Sequence, residues 1–474
     1  MTGRAEVAAQ TATRVPGGPG GDDTVKVLLA RPRPDTRSVN VQRFMVTEPL
    51  ELEILAAHLS NLGHEVDVVD LVLERHKLAW FLAQKHYDLV GLTGYINHVH
   101  VIKALAGEVK RASPQTRVVV GGIHAESVPT DFIDSSIDHI VWANGPATMA
   151  ELASGMSVAE GACLPGVWGS GKAKPASDHP RGLLPDRTST AKYRSRYNSM
   201  HHESSAMLKT SYGCARACAT GCDHDGSCSR RDLDEVMDEL ATIDEPHVFI
   251  VDDDFLSSPA GIQAFCDALD ARGISKRFMA FARAEYVSDH PDDVRLLAAH
   301  GFEGLFLEVE PFLKTQLNDD RADQTEIEQA VQAVRVLEDA GVQCYTDLFT
   351  GMDWDRTDFD RLIAFLNQLE HPMVNIQPST PMPGTSEFDE GCDQVSLARC
   401  EAERWDSAHL TFRPTELGPR AYYWQLLRAH YKTTANPSRR RYIKDRYGKR
   451  VYRRMIRGAV GNTWQYLKLM VRPG

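Results

Sequence analysis

The sequence predicts an α/β protein with two sheets in succession. The first is a doubly wound Rossmann-like sheet, the second a partial (β/α)6 barrel of the TIM type, and a helical C-terminal region follows. Three observations predict this fold class. The chain has 474 residues, too many for one ordinary core. Short apolar runs rich in β-branched residues recur in two separate series, and amphipathic stretches of helical period lie between the runs.

The first series occupies residues 25–150 and follows an arm, residues 1–24, whose Gly- and Pro-rich composition predicts flexibility. Its strands are predicted at VKVLLA, EVDVVD, DLVGLT, RVVVGG and HIVWAN. Continuous apolar strands separated by helices are typical of a parallel sheet covered on both faces. Such sheets bind ligands at the carboxyl ends of their strands, which here lie near Arg31, Thr93–Tyr95 and Gly121–His124.

The second series occupies residues 206–390, after a Gly-, Pro- and Ser-rich connection over residues 151–205. Its strands are predicted at AMLKTSY, HVFIVD, RFMAFA, GLFLEVE, VQCYTDLF and MVNIQP. Successive βα units predict a barrel, and barrels carry their chemistry at the carboxyl ends of the strands. The acids at these ends are Asp252, Asp253, Asp254, Glu308, Glu310 and Asp347. A cysteine-rich loop follows the first strand, so we expect loop and acids to meet at one mouth.

Charge is distributed unevenly along the chain. The formal net charge is −12, yet residues 420–474 hold fifteen Lys and Arg against one acid, Asp445. The acidic remainder disfavours nucleic acid as a partner, and we expect the basic end of the 391–474 region to dock on the protein itself. It could instead dock an acidic electron donor such as a flavodoxin or ferredoxin. No apolar run has the length of a membrane span and no signal segment is evident, which predicts a cytoplasmic protein with reduced thiols and no membrane partner.

Four of the nine cysteines lie in TSYGCARACATGCDHDGSC, residues 210–228. The first three, Cys214, Cys218 and Cys222, are evenly spaced, and three thiolates in one short loop are suitable ligands for an iron-sulfur cluster that keeps one metal open. A tetrahedral zinc site is the alternative, with Cys228 or His224 as the fourth ligand. Unligated loop thiols are a third interpretation.

Further motifs narrow these alternatives. With GGIHAESVP, VDDDF, FARAEYV, LEVEP and PSTPMPGTSEF, the loop resembles that of the radical S-adenosylmethionine (SAM) enzymes with an N-terminal cobalamin-binding-like domain. The resemblance implies that the three evenly spaced cysteines hold a [4Fe-4S] cluster whose open iron chelates SAM. An electron would then cleave SAM to methionine and a 5′-deoxyadenosyl radical. It also implies four SAM-contacting residues, which are Asp252, Asp253, Arg283 and Glu310.

The loop departs from the usual C-x3-C-x2-C of that family by one residue, reading C-x3-C-x3-C. In this it resembles the radical SAM 1,2-diol dehydratases of apramycin biosynthesis. That resemblance implies hydrogen abstraction from the 4′ carbon of a paromamine-like aminoglycoside precursor and elimination of its 3′ hydroxyl, with an NADPH-dependent reductase as partner. A general acid and base are needed. The candidates are Tyr212, His224, Asp254 and Glu308.

A second departure concerns the first sheet. Where many members of the family read GEGE, this chain reads ANGPAT at residues 143–148, and it lacks a DxHxxG cobalamin signature. Because a dehydration needs no methyl carrier, we expect cobalamin to be absent. Two alternatives stay open: a cobalamin-dependent radical SAM methyltransferase acting on an antibiotic precursor, and a zinc-stabilised RNA-binding protein gripping phosphate with its basic tail.

Overall fold

A computed structural model gives the fold. It describes residues 24–39, 45–176, 182–213, 228–308, 320–369, 372–385, 388–389, 395 and 399–471. Within these ranges the chain forms two parallel sheets, one of five strands and one of six. None of the helices in them combines the length and the apolar character that crossing a bilayer requires.

The first sheet is entirely parallel, with the strand order β2-β1-β3-β4-β5. Its strands are β1 (Lys26–Arg31), β2 (Glu65–Asp70), β3 (Leu89–Thr93), β4 (Arg117–Gly121) and β5 (His139–Ile140). The order reverses between β1 and β3, so the carboxyl ends of these two strands flank the ligand crevice of such folds. β5 is shorter than the HIVWAN run predicted, and Val141 just beyond it donates to the Val120 carbonyl (2.8 Å) and forms an antiparallel bridge with Val167.

Helices cover both faces of this sheet, as predicted for a doubly wound fold. They are α1 (Leu50–Asn61), α2 (Leu78–Gln84), α3 (Val99–Ala112), α4 (Ile123–Ser127), α5 (Gly145–Ala153) and α6 (Val158–Gly161). One apolar core joins α1 and α5 to one face, and a second joins α2 and α3 to the other. Alternate strand residues divide between the cores, with Leu29 in the first and Leu28 in the second.

The connection between the sheets contains a 3-10 helix (Ala191–Arg196) and a two-stranded hairpin, β6 (Asn198–Ser199) and β7 (His202–Glu203). Arg194 of the 3-10 helix forms ion pairs with three carboxylates, those of Glu48, Glu53 and Glu245. Glu48 and Glu53 belong to the first part of the chain, and Glu245 precedes a strand of the second sheet. One largely buried guanidinium therefore links both parts and the connection between them.

The second sheet is an open half-barrel. Its main strands are β8 (Ser205–Leu208), β11 (His247–Ile250), β12 (Arg277–Arg283), β13 (Phe302–Glu308), β14 (Gln343–Thr350) and β15 (Met373–Pro378). They pair in parallel in the order β15-β14-β13-β12-β11-β8, and β15 does not pair with β8 among the described residues. The sheet is thus the partial form of the barrel predicted. A short antiparallel pair, β9 (Ser211–Tyr212) and β10 (Ser229–Arg230), stands at its mouth.

Helices pack on the outer face of this half-barrel. They are α7 (Leu233–Thr242), α8 (Pro259–Arg272), α9 (Ala284–Asp289), α10 (Pro291–Ala299), α11 (Asp320–Asp339) and α12 (Arg356–Gln368). On the inner face, the rings of Phe249, Phe281, Phe306 and Tyr345 stack with centroids 4.9–5.3 Å apart. This aromatic layer fills the middle of the half-barrel and leaves polar side chains above and below it.

The C-terminal region is helical, as predicted. It contains a 3-10 helix (Arg399–Arg404), α13 (Pro419–Thr434) and α14 (Pro437–Val471), and α14 is broken at Gly448, whose φ is +77°. Tyr422 and Tyr466 are buried against the half-barrel. Arg439 is also buried and donates to the carbonyl oxygens of Leu366 and Leu369. The basic region therefore docks on the protein itself.

The pH dependence of stability follows from Glu53. Burial, and next the neighbouring Glu48 carboxylate, raise the pKa of Glu53 from 4.5 to about 8, outweighing Thr190 and Arg194. The folded chain holds the Glu53 proton more tightly than the unfolded chain does. The contribution of Glu53 to stability is therefore full below pH 4.5 and is lost as the pH rises to about 8.

We expect Glu53→Gln to lose less stability than the wild type between about pH 5 and about pH 9, measured as urea-unfolding midpoints. Glu151→Gln, at an exposed glutamate, should keep the wild-type dependence; identical slopes in all three proteins would contradict the assignment.

Candidate active site

The mouth of the half-barrel is built from side chains that follow or end its strands. Lys209 follows β8, Arg283 ends β12, and Asp347 lies on β14 two residues beyond Tyr345 of the aromatic layer. Because alternate residues of a strand share a face, Asp347 stands directly above that layer. The aromatic rings exclude water beneath this polar rim, which makes its charged groups stronger partners for a ligand.

Asp252 anchors the start of the cysteine loop. Its carboxylate is buried and accepts hydrogen bonds from the Thr210 backbone N–H (2.7 Å), the Thr210 hydroxyl and the Ser211 hydroxyl (2.9 Å). Burial raises the pKa of Asp252, and these hydrogen bonds oppose that shift. The bonds fix Thr210 and Ser211, which lie four and three residues before Cys214 in the sequence. Asp252 was predicted to contact SAM; with both oxygens engaged by Thr210 and Ser211, it is placed to position the loop.

The loop also returns to its starting point. Ser211–Tyr212 pairs with Ser229–Arg230, so the segment between them leaves and re-enters the mouth at one place. Arg231 reinforces this closure, since its backbone N–H donates to the Thr210 carbonyl (2.9 Å) and its guanidinium to the Lys209 carbonyl (2.7 Å). The predicted ligands Cys214, Cys218 and Cys222 lie outside the described residues, as do His224 and Glu310. The structure describes the two anchors that hold their segment.

Cys228 stands at the foot of the loop. Burial raises the pKa of its thiol, as do the Asp254 and Asp252 carboxylates, while Arg230 opposes them.

The remaining predicted residues are grouped at the same mouth. The Arg283 guanidinium lies 3.9 Å from the Asp254 carboxylate, and both side chains are largely shielded from water. Asp253 is exposed at the end of β11. Burial raises the pKa of Tyr212, whose ring lies 5.2 Å from the Lys209 ammonium. The backbone of Glu308 pairs with Arg283 and Asp347 on the neighbouring strands, which places this residue at the mouth as well.

Two mouth residues were missed by the sequence reasoning. Lys209 forms an ion pair of 2.7 Å with Glu51 of α1, and although burial opposes its charge, Glu51 raises its pKa. Asn375 on β15 donates to the Asp347 carboxylate (2.8 Å), whose pKa burial raises. The available signal for Lys209 was a lone lysine inside the apolar run AMLKTSY. Asn375 had no such signal, because a single asparagine in a strand has no characteristic pattern.

The carboxyl edge of the first sheet presents exposed apolar side chains. Tyr95 follows β3 and is 64% exposed, and Ile123 follows β4 and is 59% exposed. Gly122 between Gly121 and Ile123 has φ +100°, and a side chain there would come within 2.4 Å of the Thr93 hydroxyl. Glycine therefore lets the two loops approach each other closely. An exposed ring and an aliphatic side chain beside such loops fit one face of a large, flat macrocycle such as cobalamin.

The half-barrel presents its own apolar side chains on the corresponding edge. Phe349 near the end of β14 is 42% exposed, and Met382 after β15 is 38% exposed. At Gly384 a Cβ atom would lie 3.3 Å from Val128 and 3.5 Å from Ser127, which follow β4. The Lys209–Glu51 ion pair joins the two edges at another point. The carboxyl edges of both sheets therefore face each other, with apolar groups on either side.

Comparison with known proteins agrees with this architecture. Residues 37–153 match the family model described as the B12 binding domain. The chain is 26% identical over 419 residues to the hopanoid C-3 methylase of Methylococcus capsulatus (strain ATCC 33009 / NCIMB 11132 / Bath), covering 85% of this chain and 79% of that protein. The cobalamin-dependent SAM radical enzyme OxsB, solved with aqua-cobalamin and SAM bound, shares the fold with a TM-score of 0.56 and 18% identity. That likeness covers 77% of this chain and 55% of OxsB, so the chain spans about half the length of that relative.

These findings correct two predictions. The expected absence of cobalamin is wrong, because residues 37–153, which include β2 to β5 of the first sheet, match the B12 binding domain. The 1,2-diol dehydratase assignment is overturned with it, since the curated relative is a methylase. The similarity to cobalamin-dependent radical SAM enzymes stands, and it favours the methyltransferase alternative over the dehydratase and over a zinc-stabilised RNA-binding protein.

Proposed function

We propose that the protein is a cobalamin-dependent radical SAM methyltransferase. The observation that carries the proposal is the facing of the two carboxyl edges, which are joined by Lys209–Glu51 and by the contact of Gly384 with Ser127–Val128. A methyl carrier bound to the first edge would lie next to a cluster bound at the second. The B12 binding domain and the similarity to a methylase support the same assignment.

Each part of the mouth has a role in this proposal. Cys214, Cys218 and Cys222 would hold the [4Fe-4S] cluster, and Asp253, Arg283 and Glu310 would hold SAM. Tyr95 and Ile123 would contact the cobalamin. When bound, these groups supply a methyl carrier and one-electron cleavage of SAM. Tyr212, His224, Asp254 and Glu308 are the side chains we propose for moving a proton at the substrate.

The proposed substrate is a small polar molecule, such as an antibiotic precursor. The polar rim supports this class, because the Asp347 carboxylate and the Asn375 amide offer hydrogen-bond partners to hydroxyl or ammonium groups in a site partly shielded from water. The methylase relative is named for a hopanoid, and that name describes the relative.

An electron donor completes the proposal. The described part of α14 presents exposed basic side chains, including Arg440 and Arg441, which suit an acidic flavodoxin or ferredoxin. Arg439 of the same run is buried, so it belongs to the fold and not to the docking surface.

The central experiment follows the two fates of SAM. Protein reconstituted anaerobically with iron, sulfide and hydroxocobalamin is incubated with SAM and a chemical reductant, and the nucleoside products are quantified. We expect both S-adenosylhomocysteine and 5′-deoxyadenosine, with the former lost when cobalamin is omitted. Cys218→Ala should form no 5′-deoxyadenosine. Formation of 5′-deoxyadenosine alone by the fully loaded protein would reject methyl transfer.

Cobalamin binding itself is tested at the first edge. We expect Ile123→Asp to weaken hydroxocobalamin binding at least tenfold, because it places a charge against an apolar macrocycle. The measurement is equilibrium dialysis followed by visible absorbance. Ile133→Asp is the matched control, since Ile133 is equally exposed (57%) but lies where the chain returns toward the amino end of β5. Equal affinity in both variants would show that cobalamin binds elsewhere.

A further inference from the structure

A second cluster of ligand-type side chains lies at the opposite end of the half-barrel from the mouth. His202 is in β7 of the connecting hairpin, His247 is the first residue of β11, and Glu303 is the second residue of β13. One potential ligand atom from each lies within 4.8 Å of the others. These residues come from three separate segments, and the aromatic layer separates them from the mouth.

The backbone at Glu303 is irregular in a way that serves this cluster. Phe278 pairs with Phe302, but the next residue, Met279, pairs with Gly304, so Glu303 is an extra residue in β13. Such a bulge redirects one side chain out of the regular alternation. The Glu303 carboxylate consequently reaches His202 and lies 3.7 Å from its Nδ1.

Both histidines have a ring nitrogen to offer. His247 Nδ1 lies 3.0 Å from the backbone carbonyl oxygen of Glu203, and because a carbonyl oxygen only accepts, Nδ1 carries the proton and Nε2 keeps its lone pair. Histidines that bind metals are commonly oriented by this type of bond. His202 is only 3% exposed, and its Nε2 has no hydrogen-bond partner among the described residues. The His202 Nδ1 is the nitrogen that faces the Glu303 carboxylate, so it is the atom of His202 that a shared ion would occupy.

We propose that His202, His247 and Glu303 form a divalent metal site, and that Zn²⁺ is the ion it binds. Two imidazoles and one carboxylate are an established donor set for Zn²⁺, with a water completing the tetrahedron. Glu303 is 38% exposed and gives the ion an entry path from solvent. The Arg277 guanidinium lies 3.5 Å from the Glu303 carboxylate and would compete with a bound cation. Because the Arg277 side chain is 61% exposed, this ion pair is weak and the metal ion can replace it. The bound ion would tie the connecting hairpin to β11 and β13.

The test measures zinc binding without the cysteine loop. The full chain carrying Cys214→Ala, Cys218→Ala and Cys222→Ala is stripped with a chelator, and Zn²⁺ is titrated in competition with a fluorescent zinc indicator. We expect one tight Zn²⁺ per chain. Glu303→Gln and His247→Gln, each added to this background, should weaken the affinity at least tenfold. His300→Gln should bind as the parent does, since His300 bonds to Leu296 and Asp270 away from the cluster.

A second measurement keeps the test decisive if one variant folds poorly. Zn²⁺ should raise the thermal unfolding temperature of the parent and of His300→Gln, and should leave that of Glu303→Gln unchanged. Circular dichroism serves as the control for folding of Glu303→Gln. We expect this variant to fold, because the Glu303 side chain is partly exposed. Absence of stoichiometric zinc from the parent, or parental affinity in both Glu303→Gln and His247→Gln, would overturn the proposal. Neither outcome bears on methyl transfer, so the two proposals fail independently.

Discussion

Replacement of Asp252 by alanine is expected to reduce assembly of the proposed iron-sulfur cluster strongly. The carboxylate accepts bonds from the Thr210 N–H, the Thr210 hydroxyl and the Ser211 hydroxyl, and is 1% exposed. Its removal leaves these donors buried, at a cost of about 1–3 kcal/mol for each that finds no partner. Thr210 and Ser211, which precede Cys214 in the sequence, would then lose their fixed position. We expect iron content and visible absorbance after reconstitution to fall at least fivefold.

Two further variants separate loop positioning from general loss of stability. Asp252→Asn keeps the shape and one accepting oxygen, so it should recover part of the cluster. Asp267→Ala removes an exposed aspartate of α8 that accepts only from Gln263 within the described contacts, and should reconstitute like the wild type. Full cluster occupancy in Asp252→Ala would show that the loop holds its position without this anchor.

The sequence was sufficient for both sheets because their strands are buried on two faces. Continuous apolar runs such as RVVVGG and HVFIVD favour buried strands, and both became parallel strands. The convergence of Asp254, Arg283 and Glu308 on one edge followed from the same rule, since each residue ends or follows a parallel strand. The predicted mouth was correct in position for this reason.

The prediction on cobalamin was wrong because residues 37–153 match the B12 binding domain without its short signature motif. The prediction rested on Pro146 in ANGPAT and on a dehydration needing no methyl carrier, whereas the exposed apolar residues at this edge, Tyr95 and Ile123, are isolated in loops. Exposed apolar residues are common and predict nothing singly. Their significance appears only when a second sheet is seen to face them.

The positions of Glu303 and Arg439 depend on contacts in the folded chain that the sequence pattern does not show. Glu303 acquires its position from one extra residue in a strand, which periodicity over GLFLEVE does not show. Arg439 reads as part of a basic surface run, yet it is buried by bonds to the last carbonyls of α12. In both cases a local irregularity or a distant contact outweighs the residue's usual preference.

Arg194→Met is the second large effect expected, and it concerns the link between the two sheets. Arg194 is the shared partner of Glu48, Glu53 and Glu245, and the Glu48 and Glu53 side chains are fully buried. Methionine keeps much of the volume but removes the charge, so the buried Glu48 carboxylate keeps only Arg187 as a nearby cation and lies beside Glu53, whose pKa of about 8 leaves it protonated near neutral pH. Removing one partner from a buried ion pair costs about 3–5 kcal/mol. We expect a loss of that size in the urea-unfolding free energy.

Arg272→Met is the matched control, because Arg272 also pairs with two carboxylates, Asp234 and Asp238, but at the surface. It should leave the unfolding midpoint nearly unchanged, since solvent screens exposed pairs. Glu53→Gln added to Arg194→Met should restore part of the lost stability at neutral pH, because Glu53 must take up a proton on folding and glutamine need not. If Arg194→Met were no worse than Arg272→Met, the buried network would not hold the sheets together, and their facing edges would have to be maintained by the Lys209–Glu51 and Gly384–Ser127 contacts.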